Sequence, residues 1–266
     1  MLRLVFSSGR GRGCGEGART LSDFIQLACW LLPASRFKNW LLNRFGHEID
    51  LTARIGPTFA IRVRNFRVGA HGYIGLFNVF RDLSHVWLDD YAIVEKWNWI
   101  SAAPAFRDND PDAGTLFLGV RAKLGSRSYF DCSGTITVRP FGNVGGNRVF
   151  FQTHQTDFAH NRQSVGRITV GDHSFVGSCA VMLKGTTLPD RSILAANSTM
   201  TGSVPATKRG LYAGCPAEWQ HEIFGNWFAR TNYYMKDHVA DEPMGILEDD
   251  ISMSKSYRDR VVDGPR

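Results

Sequence analysis

Residues 170–205 read VGDHSF, VGSCAV, MLKGTT, LPDRSI, LAANST and MTGSVP, six blocks of six. Each block opens with a large apolar residue: Val170, Val176, Met182, Leu188, Leu194 and Met200. The first five blocks carry a small residue in fifth place: Ser174, Ala180, Thr186, Ser192 and Ser198. In a chain that is 43% apolar, six such openings in succession arise by chance in under about one case in a hundred. A period of six fits neither the 3.6 of an α-helix nor the 2 of an ordinary strand. It fits a hexapeptide β-helix, in which each block is one short strand and turn of a three-sided coil. The large residue fills the interior, the small one tucks under a corner, and Gly or Asp permits the bend.

Outward from this stretch the period persists with interruptions. It begins near Ile55 (IGPTFA, IRVRNF, VGAHGY, IGLFNV), and Leu88, Val94 and Ile100 keep it. Residues 106–117 are a polar loop thrown out of the coil. The period resumes at Leu118, Leu124 and Phe130, slips by two, and continues at Val138, Val144 and Phe150. A second break, with a loop over 155–167, precedes Ile168-Thr-Val170. Long loops in a regular solenoid are places to look for function. The expected organisation is a disordered start (1–20), a helical cap (21–50), the coil (51–205), a C-terminal helical extension (206–246) and a mobile tail (247–266). Ser22 and Ser35 are read as caps of two helices, the second ending at Gly46. Phe37, Trp40, Leu41 and Phe45 share one face of that helix and are expected to cover the open end of the coil. Arg36, Lys38 and Arg44 keep open a peripheral membrane contact through residues 21–46. PAEWQHEIFGNWFAR is read as a helix with Trp219, Ile223 and Trp227 on one side.

The formal charge of +6 in 266 residues and a pI near 9.2 suit anionic partners, but no nucleic-acid-binding motif is present. Five cysteines without a CxxC pair point to reduced thiols in a cytoplasmic protein. Cys179 is read as a packing residue. MLRLVF is too short for a signal-peptide core, and FIQLACWLL is too short to span a bilayer.

No Walker motif, dinucleotide fingerprint or zinc spacing appears. His154, in FFQTHQTDF, stands where the regular coil gives way to the second loop. The ordered combination of TH, VGDHSFVGS, LKGTTL, the Ser-rich coil and GCPA resembles the hexapeptide-repeat acyltransferases of the galactoside, maltose and xenobiotic acetyltransferase group. Residues 118–218 carry the resemblance best. With FDCSG and the NRQS loop, the pattern looks most like the O-acetyltransferases of polysaccharide biosynthesis. The resemblance implies an all-β fold, a left-handed parallel β-helix assembled as a homotrimer, using acetyl-coenzyme A as acyl donor and needing no metal. It implies that His154 is the general base and that Ser178, the Ser of VGS, lies beside the thioester and supplies the donor to the oxyanion. An unperturbed imidazole titrates near ~6.5, so a neutral histidine is available to take a hydroxyl proton, a contribution of typically about 10²–10⁴ in rate.

Three hexads make one coil, so Ser178 and Ala196, eighteen apart, should stand one above the other at about 4.8 Å. The family's second contact to the pantetheine arm matches Ala196. Thr201 matches a position near the coenzyme phosphate, but Gly202 and Glu218 replace basic residues found there in the family, leaving Lys208 and Arg209 as nearest candidates. Asp131 and Asp157 are candidate acceptor-side carboxylates, with a solvated turn as the simpler reading of each. Within acyl transfer, the acceptor is expected to be a saccharide hydroxyl, with the amine of a nucleotide-linked amino sugar second. A zinc-dependent carbonic anhydrase of the same fold would need three converging histidines; His154, His160 and His173 exist, but their spacing and the VGS and GCPA motifs speak against it. A non-catalytic scaffold is the remaining class.

Overall fold

In a computed structural model the hexads form strands of two to five residues that stack in register on three faces. Residues 16–202 and 206–232 are described, with Glu248 and 251–253. The chain divides into Met1–Asn232 and Tyr233–Arg266; of the second unit, 251–253 are helical and exposed. Face one holds seven strands from Glu48–Ile49 to Thr187–Leu188, and face three holds seven from Phe59–Ile61 to Thr199–Met200. Face two holds nine, from Arg54–Ile55 to Ala217–His221. Within the coil every pairing between neighbouring turns is parallel, which makes the fold the three-sided parallel β-helix of the repeat.

The interior is a column of the block-opening residues, with Val170, Val176, Met182, Leu188 and Leu194 fully buried. The fifth-place residues are buried too, and they join coils: Ser174 Oγ donates to the Pro189 carbonyl at 2.6 Å and accepts from the Ser192 N–H at 3.1 Å. Ser192 and Ser198 accept in turn from the N–H groups of Gly210 and Gly214. These bonds satisfy corner groups that burial would otherwise leave unpaired.

The phase slips have a simple cause. Val170 registers with Leu188, eighteen residues on, whereas Val68 registers with Leu88, twenty on. The strands of face one from Asn65–Val68 to Thr135–Val138 are four residues long and send two side chains inward, as in Phe66 with Val68 and Val86 with Leu88. The interior place expected for Phe150 belongs to Phe151. An extra residue in Asn143–Asn147 shifts the pairing by one, and Phe150 turns outward to stack on Tyr129 at 5.3 Å.

Four further expectations are corrected. Helix α1 spans Glu16–Leu31, so it begins inside the stretch read as disordered, and Ser22 is internal to it. The coil begins at Glu48–Ile49. Helix α2, Arg36–Arg44, does start on Ser35, whose side chain accepts from the Lys38 N–H, but only half of the expected face covers the coil: Leu41 and Phe45 pack against the core, and Phe37 and Trp40 do not. Lys38, Asn39 and Leu42 are buried, while Phe37 and Trp40 are 63% and 51% exposed. Polar groups share the buried face with Leu42 because the end of a coil presents carbonyls. Lys38 Nζ donates to those of Trp30 (2.6 Å), Leu32 (2.8 Å), Ile55 (3.1 Å) and Gly56 (2.9 Å), tying the end of α1 to the first turn. Burial lowers its pKa to about 8.

The C-terminal helix is replaced by strands. Leu211–Gly214 extends face two in parallel with Ile193–Leu194, and Ala217–His221 folds back on it antiparallel. The period of six runs on through Ala206 to Tyr212, and Tyr212 is buried in the core. Among the described residues after Pro205 and before Tyr233, only Asn226–Ala229 is helical, as one 3-10 turn.

Candidate active site

Two excursions leave the coil at the corner between faces three and one. The first carries the 3-10 turn Pro104–Asp108 and rejoins at Thr115. The second is an antiparallel hairpin, His154–Asp157 against Arg162–Val165, and Lys184 of the next coil holds it through Ser164 Oγ at 2.6 Å.

His154 opens this hairpin. The preceding Thr153 is fully buried and works as a corner latch: its hydroxyl donates to the Asp131 carbonyl and accepts from the Gly134 N–H, both at 2.8 Å. That fixes the backbone from which the imidazole projects. The Asp131 carboxylate, 6% exposed, is not a solvated turn residue. Its Oδ2 accepts from the N–H groups of Thr153 (2.9 Å) and His154 (3.1 Å), and its Oδ1 from the N–H (3.1 Å) and hydroxyl (2.5 Å) of Ser133. The same Oδ2 lies 2.7 Å from His154 Nδ1. Facing a carboxylate that accepts everywhere else, Nδ1 carries the proton and donates, leaving the lone pair on Nε2. The His154 side chain is 36% exposed, and the Phe106 ring of the first excursion stands 5.9 Å from its ring. The sequence placed Asp131 on the acceptor side; the structure puts it behind the base.

Asp157 lies elsewhere. It accepts from Arg162 Nε at 2.9 Å and lies 3.0 Å from His160 Nδ1, so it braces the hairpin. Arg162 first, with His160, holds its carboxyl below the usual range. His173 Nδ1 is 2.9 Å from Asp172, its Nε2 is 2.8 Å from the Arg230 carbonyl, and the ring stacks on Phe141. The three histidines thus face three different carboxylates. Among the described residues no group of three or more His, Cys, Asp or Glu is placed to hold a metal.

Ser178 and Ala196 lie at the corner between faces two and three, one coil apart, in the register set by Val176 with Leu194. The N–H groups around them are committed: Gly177 to Leu194, Cys179 to Asn147, Ala195 to Tyr212 and Asn197 to Ser178. Those of Ser178 and Ala196 have no partner among the described residues. The equivalent N–H is also open at Leu76 and Lys96, so an open corner is a property of the coil. What differs is cover. Ser and Ala leave two donors, stacked about 4.8 Å apart, accessible where Leu and Lys have bulk. Beside them Gly146, at φ 62, has no Cβ because the Ser178 hydroxyl occupies that space. The Gly145-Gly146 pair is the sequence signal of this contact. Cys179 is exposed at φ 59, not packed.

Of the phosphate candidates, Arg209 is taken. Its Nη2 donates to the Ile223 carbonyl at 2.8 Å and its guanidinium lies over Phe224 and Phe228. Lys208 is exposed, with its ammonium 5.1 Å from the Trp219 ring. Thr201 is half-buried, and a Cβ at Gly202 would meet the Lys184 carbonyl at 2.9 Å.

His154 and Ser178 are not brought together within one chain. Phe150–Gln152 pairs with Val181–Leu183 on face three; His154 follows the first strand and Ser178 precedes the second. The two corners lie roughly 20 Å apart at about 3.3 Å per residue.

No protein-family model matches the chain, and no curated protein matches it either. Among solved structures, it is similar to the polySia-specific acetyltransferase NeuO at 12% identity, over 76% of this chain and 94% of that one, with a TM-score of 0.35. A hexapeptide-repeat-containing acetyltransferase from Vibrio cholerae, VCA0836, is similar at 13% identity over 80% and 96%, TM-score 0.34. The N-acyltransferase AntD from Bacillus cereus, solved with dTDP and coenzyme A, is similar at 13% identity over 61% and 83%, TM-score 0.31. These three structures are named as acyltransferases.

Proposed function

We propose that this protein is an acyl-coenzyme A–dependent acyltransferase that moves an acetyl group to a hydroxyl of a saccharide, working as a homotrimer. The observation that carries the reading is the 2.7 Å contact of His154 Nδ1 with Asp131, which leaves Nε2 free to accept a proton. In the reaction Nε2 takes the proton of the acceptor hydroxyl as its oxygen attacks the thioester carbonyl. The tetrahedral oxyanion needs a fixed donor, and the open N–H of Ser178 supplies it. Collapse expels the coenzyme A thiolate, which takes the proton back from the imidazolium. Two stacked donors at Ser178 and Ala196 suit an amide-bearing pantetheine arm running along the coil axis.

The separation of His154 from Ser178 supports an assembly: a donor lying along one chain's Ser178 corner would reach the base of a neighbour, such contacts close into a ring, and threefold is the order the family resemblance implies. Titration calorimetry should detect coenzyme A binding in the micromolar range, a usual substrate affinity. Adding saccharide acceptors should release coenzyme A from acetyl-coenzyme A. No binding at millimolar coenzyme A sinks the reading, and a fully active monomer in sedimentation removes the trimer.

A peripheral membrane contact is also proposed. Phe24, Ile25, Phe37 and Trp40 are 70%, 48%, 63% and 51% exposed on α1 and α2, beside exposed Arg36 and Arg44, the composition of an interfacial surface. No helix among the described residues is long and apolar enough to cross a bilayer. Cosedimentation with anionic vesicles should fall severalfold in Phe37→Ser/Trp40→Ser; wild-type protein that stays in the supernatant refutes the contact.

A further inference from the structure

The corner that carries His154 also carries a cluster of arginines two to four coils away, Arg107 nearest and Arg62 and Arg64 farthest. Arg62 holds Asp82 with both arms, Nε to Oδ1 at 2.6 Å and Nη2 to Oδ2 at 2.8 Å. Arg81 Nε donates to the same carboxylate at 3.1 Å, and Arg107 Nη2 donates to the Asp82 carbonyl. The backbone N–H of Arg64 donates to the Leu83 carbonyl at 3.1 Å, next to Asp82; burial first, and then Arg64, lower the Arg107 pKa, against Asp82. Two guanidinium groups therefore meet the Asp82 carboxylate, a third meets its backbone carbonyl, and Arg64 stands beside them. The bidentate Arg62 pair suffices to clamp two coils; the others are surplus positive charge. Arg62 and Arg81 remain 59% and 49% exposed, so an incoming ligand can reach them.

The cluster is joined to the base by one short element. In Pro104–Asp108, Phe106 faces His154 and the adjacent Arg107 faces Asp82. Along face three Arg81 registers with Ser101, Ser101 with Asp131, and Asp131 with Gln152. At about 4.8 Å per coil, Arg81 stands roughly 10 Å from the level of Asp131 and roughly 14 Å from that of Gln152. This is farther than one sugar ring reaches. A charge held there belongs to a unit next to the one being acylated.

We propose that the acceptor is an anionic saccharide, whose reacting hydroxyl sits at His154 while Arg62, Arg64, Arg81 and Arg107 hold an anionic group on a neighbouring unit. The inference rests on His154 being the base. The anionic group is either the carboxylate of an acidic sugar in an oligosaccharide or the diphosphate that links a sugar to its carrier. Both offer the paired oxygens that guanidinium forks bind.

Acetyl transfer should be measured to an acidic oligosaccharide, to its carboxyl-reduced neutral counterpart, and to a nucleoside-diphosphate sugar. One of the two charged acceptors should show a KM at least about tenfold below the neutral one, equivalent to one charge-assisted contact, and which one it is identifies the source of the charge. Arg64→Gln/Arg81→Gln leaves the Arg62–Asp82 clamp intact. It should raise that KM about tenfold, with kcat, the KM for acetyl-coenzyme A and the use of the neutral acceptor unmoved. Salt added to the wild type should act in the same direction. Equal use of charged and neutral acceptors by the wild type overturns the anionic acceptor and leaves acyl transfer standing. A double variant that loses both acceptors alike overturns it too, because the arginines are then only structural. Absence of both transfer and coenzyme A binding overturns the inference and the acyltransferase reading together.

Discussion

His154→Ala is expected to lower turnover by roughly 10²–10⁴ while coenzyme A affinity changes by no more than a few fold, because the base acts on the acceptor and not on the donor. Asp131→Asn is the sharper test. Its amide cannot accept from the Thr153 and His154 N–H groups and also from Ser133 without turning an NH₂ toward one donor. An NH₂ facing Nδ1 forces the proton onto Nε2, which abolishes the base without removing it. A loss of roughly 10²–10³ in kcat with little change in the KM for acetyl-coenzyme A is expected. His160→Ala and His173→Ala should be mild, since each ring serves its own carboxylate. Wild-type turnover in His154→Ala removes the residue from the mechanism, and comparable losses at all three histidines point to a shared metal instead.

The coil was legible because its signal is additive. Six consecutive hexads place one apolar residue each, so every block adds to the same reading. The interruptions were legible as interruptions and not as geometry: the two-residue slips come from face-one strands with two inward side chains, as at Ile136 and Val138, which resembles an imperfect hexad on paper. The helix expected after Pro216 failed for a different reason. Its residues are good helix formers, but Tyr212 fills the next interior place and draws the chain onto face two, so tertiary burial overrides local propensity. The base was readable from its motif. Its partner was not, because Asp131 precedes His154 by more than a full coil, and only the stacking of Tyr129–Asp131 on Phe150–Gln152 makes them neighbours. The arginine cluster has the same origin: Arg62, Arg81 and Arg107 are scattered charges until the coil stacks them.

Ala196→Trp is expected to raise the acetyl-coenzyme A requirement by an order of magnitude or more while leaving the fold intact. Ala196 is exposed and lies outside the hydrophobic interior, so the indole need not enter the core, but it covers the donor that Leu76 and Lys96 cover at their own corners. Ser178→Ala keeps the backbone N–H. If that N–H is the oxyanion donor, the loss in turnover stays within a few fold; a loss nearer ~10²–10³, the usual result of removing an oxyanion-hole donor, assigns the role to the hydroxyl. The hydroxyl is itself confined, since it fills the space beside Gly146. Gly146→Ala therefore displaces Ser178 while keeping both its groups, and it strains a residue at φ 62. A loss there exceeding that of Ser178→Ala locates the catalytic contribution in the position of the Ser178 backbone. Cys179→Ser should do little, because the thiol at this corner touches neither donor's hydrogen-bond network. Normal coenzyme A binding by Ala196→Trp is the result that defeats the ladder, since the arm could not then run along this corner, and the open N–H groups at 178 and 196 would be no more than the ordinary exposed corners of the coil.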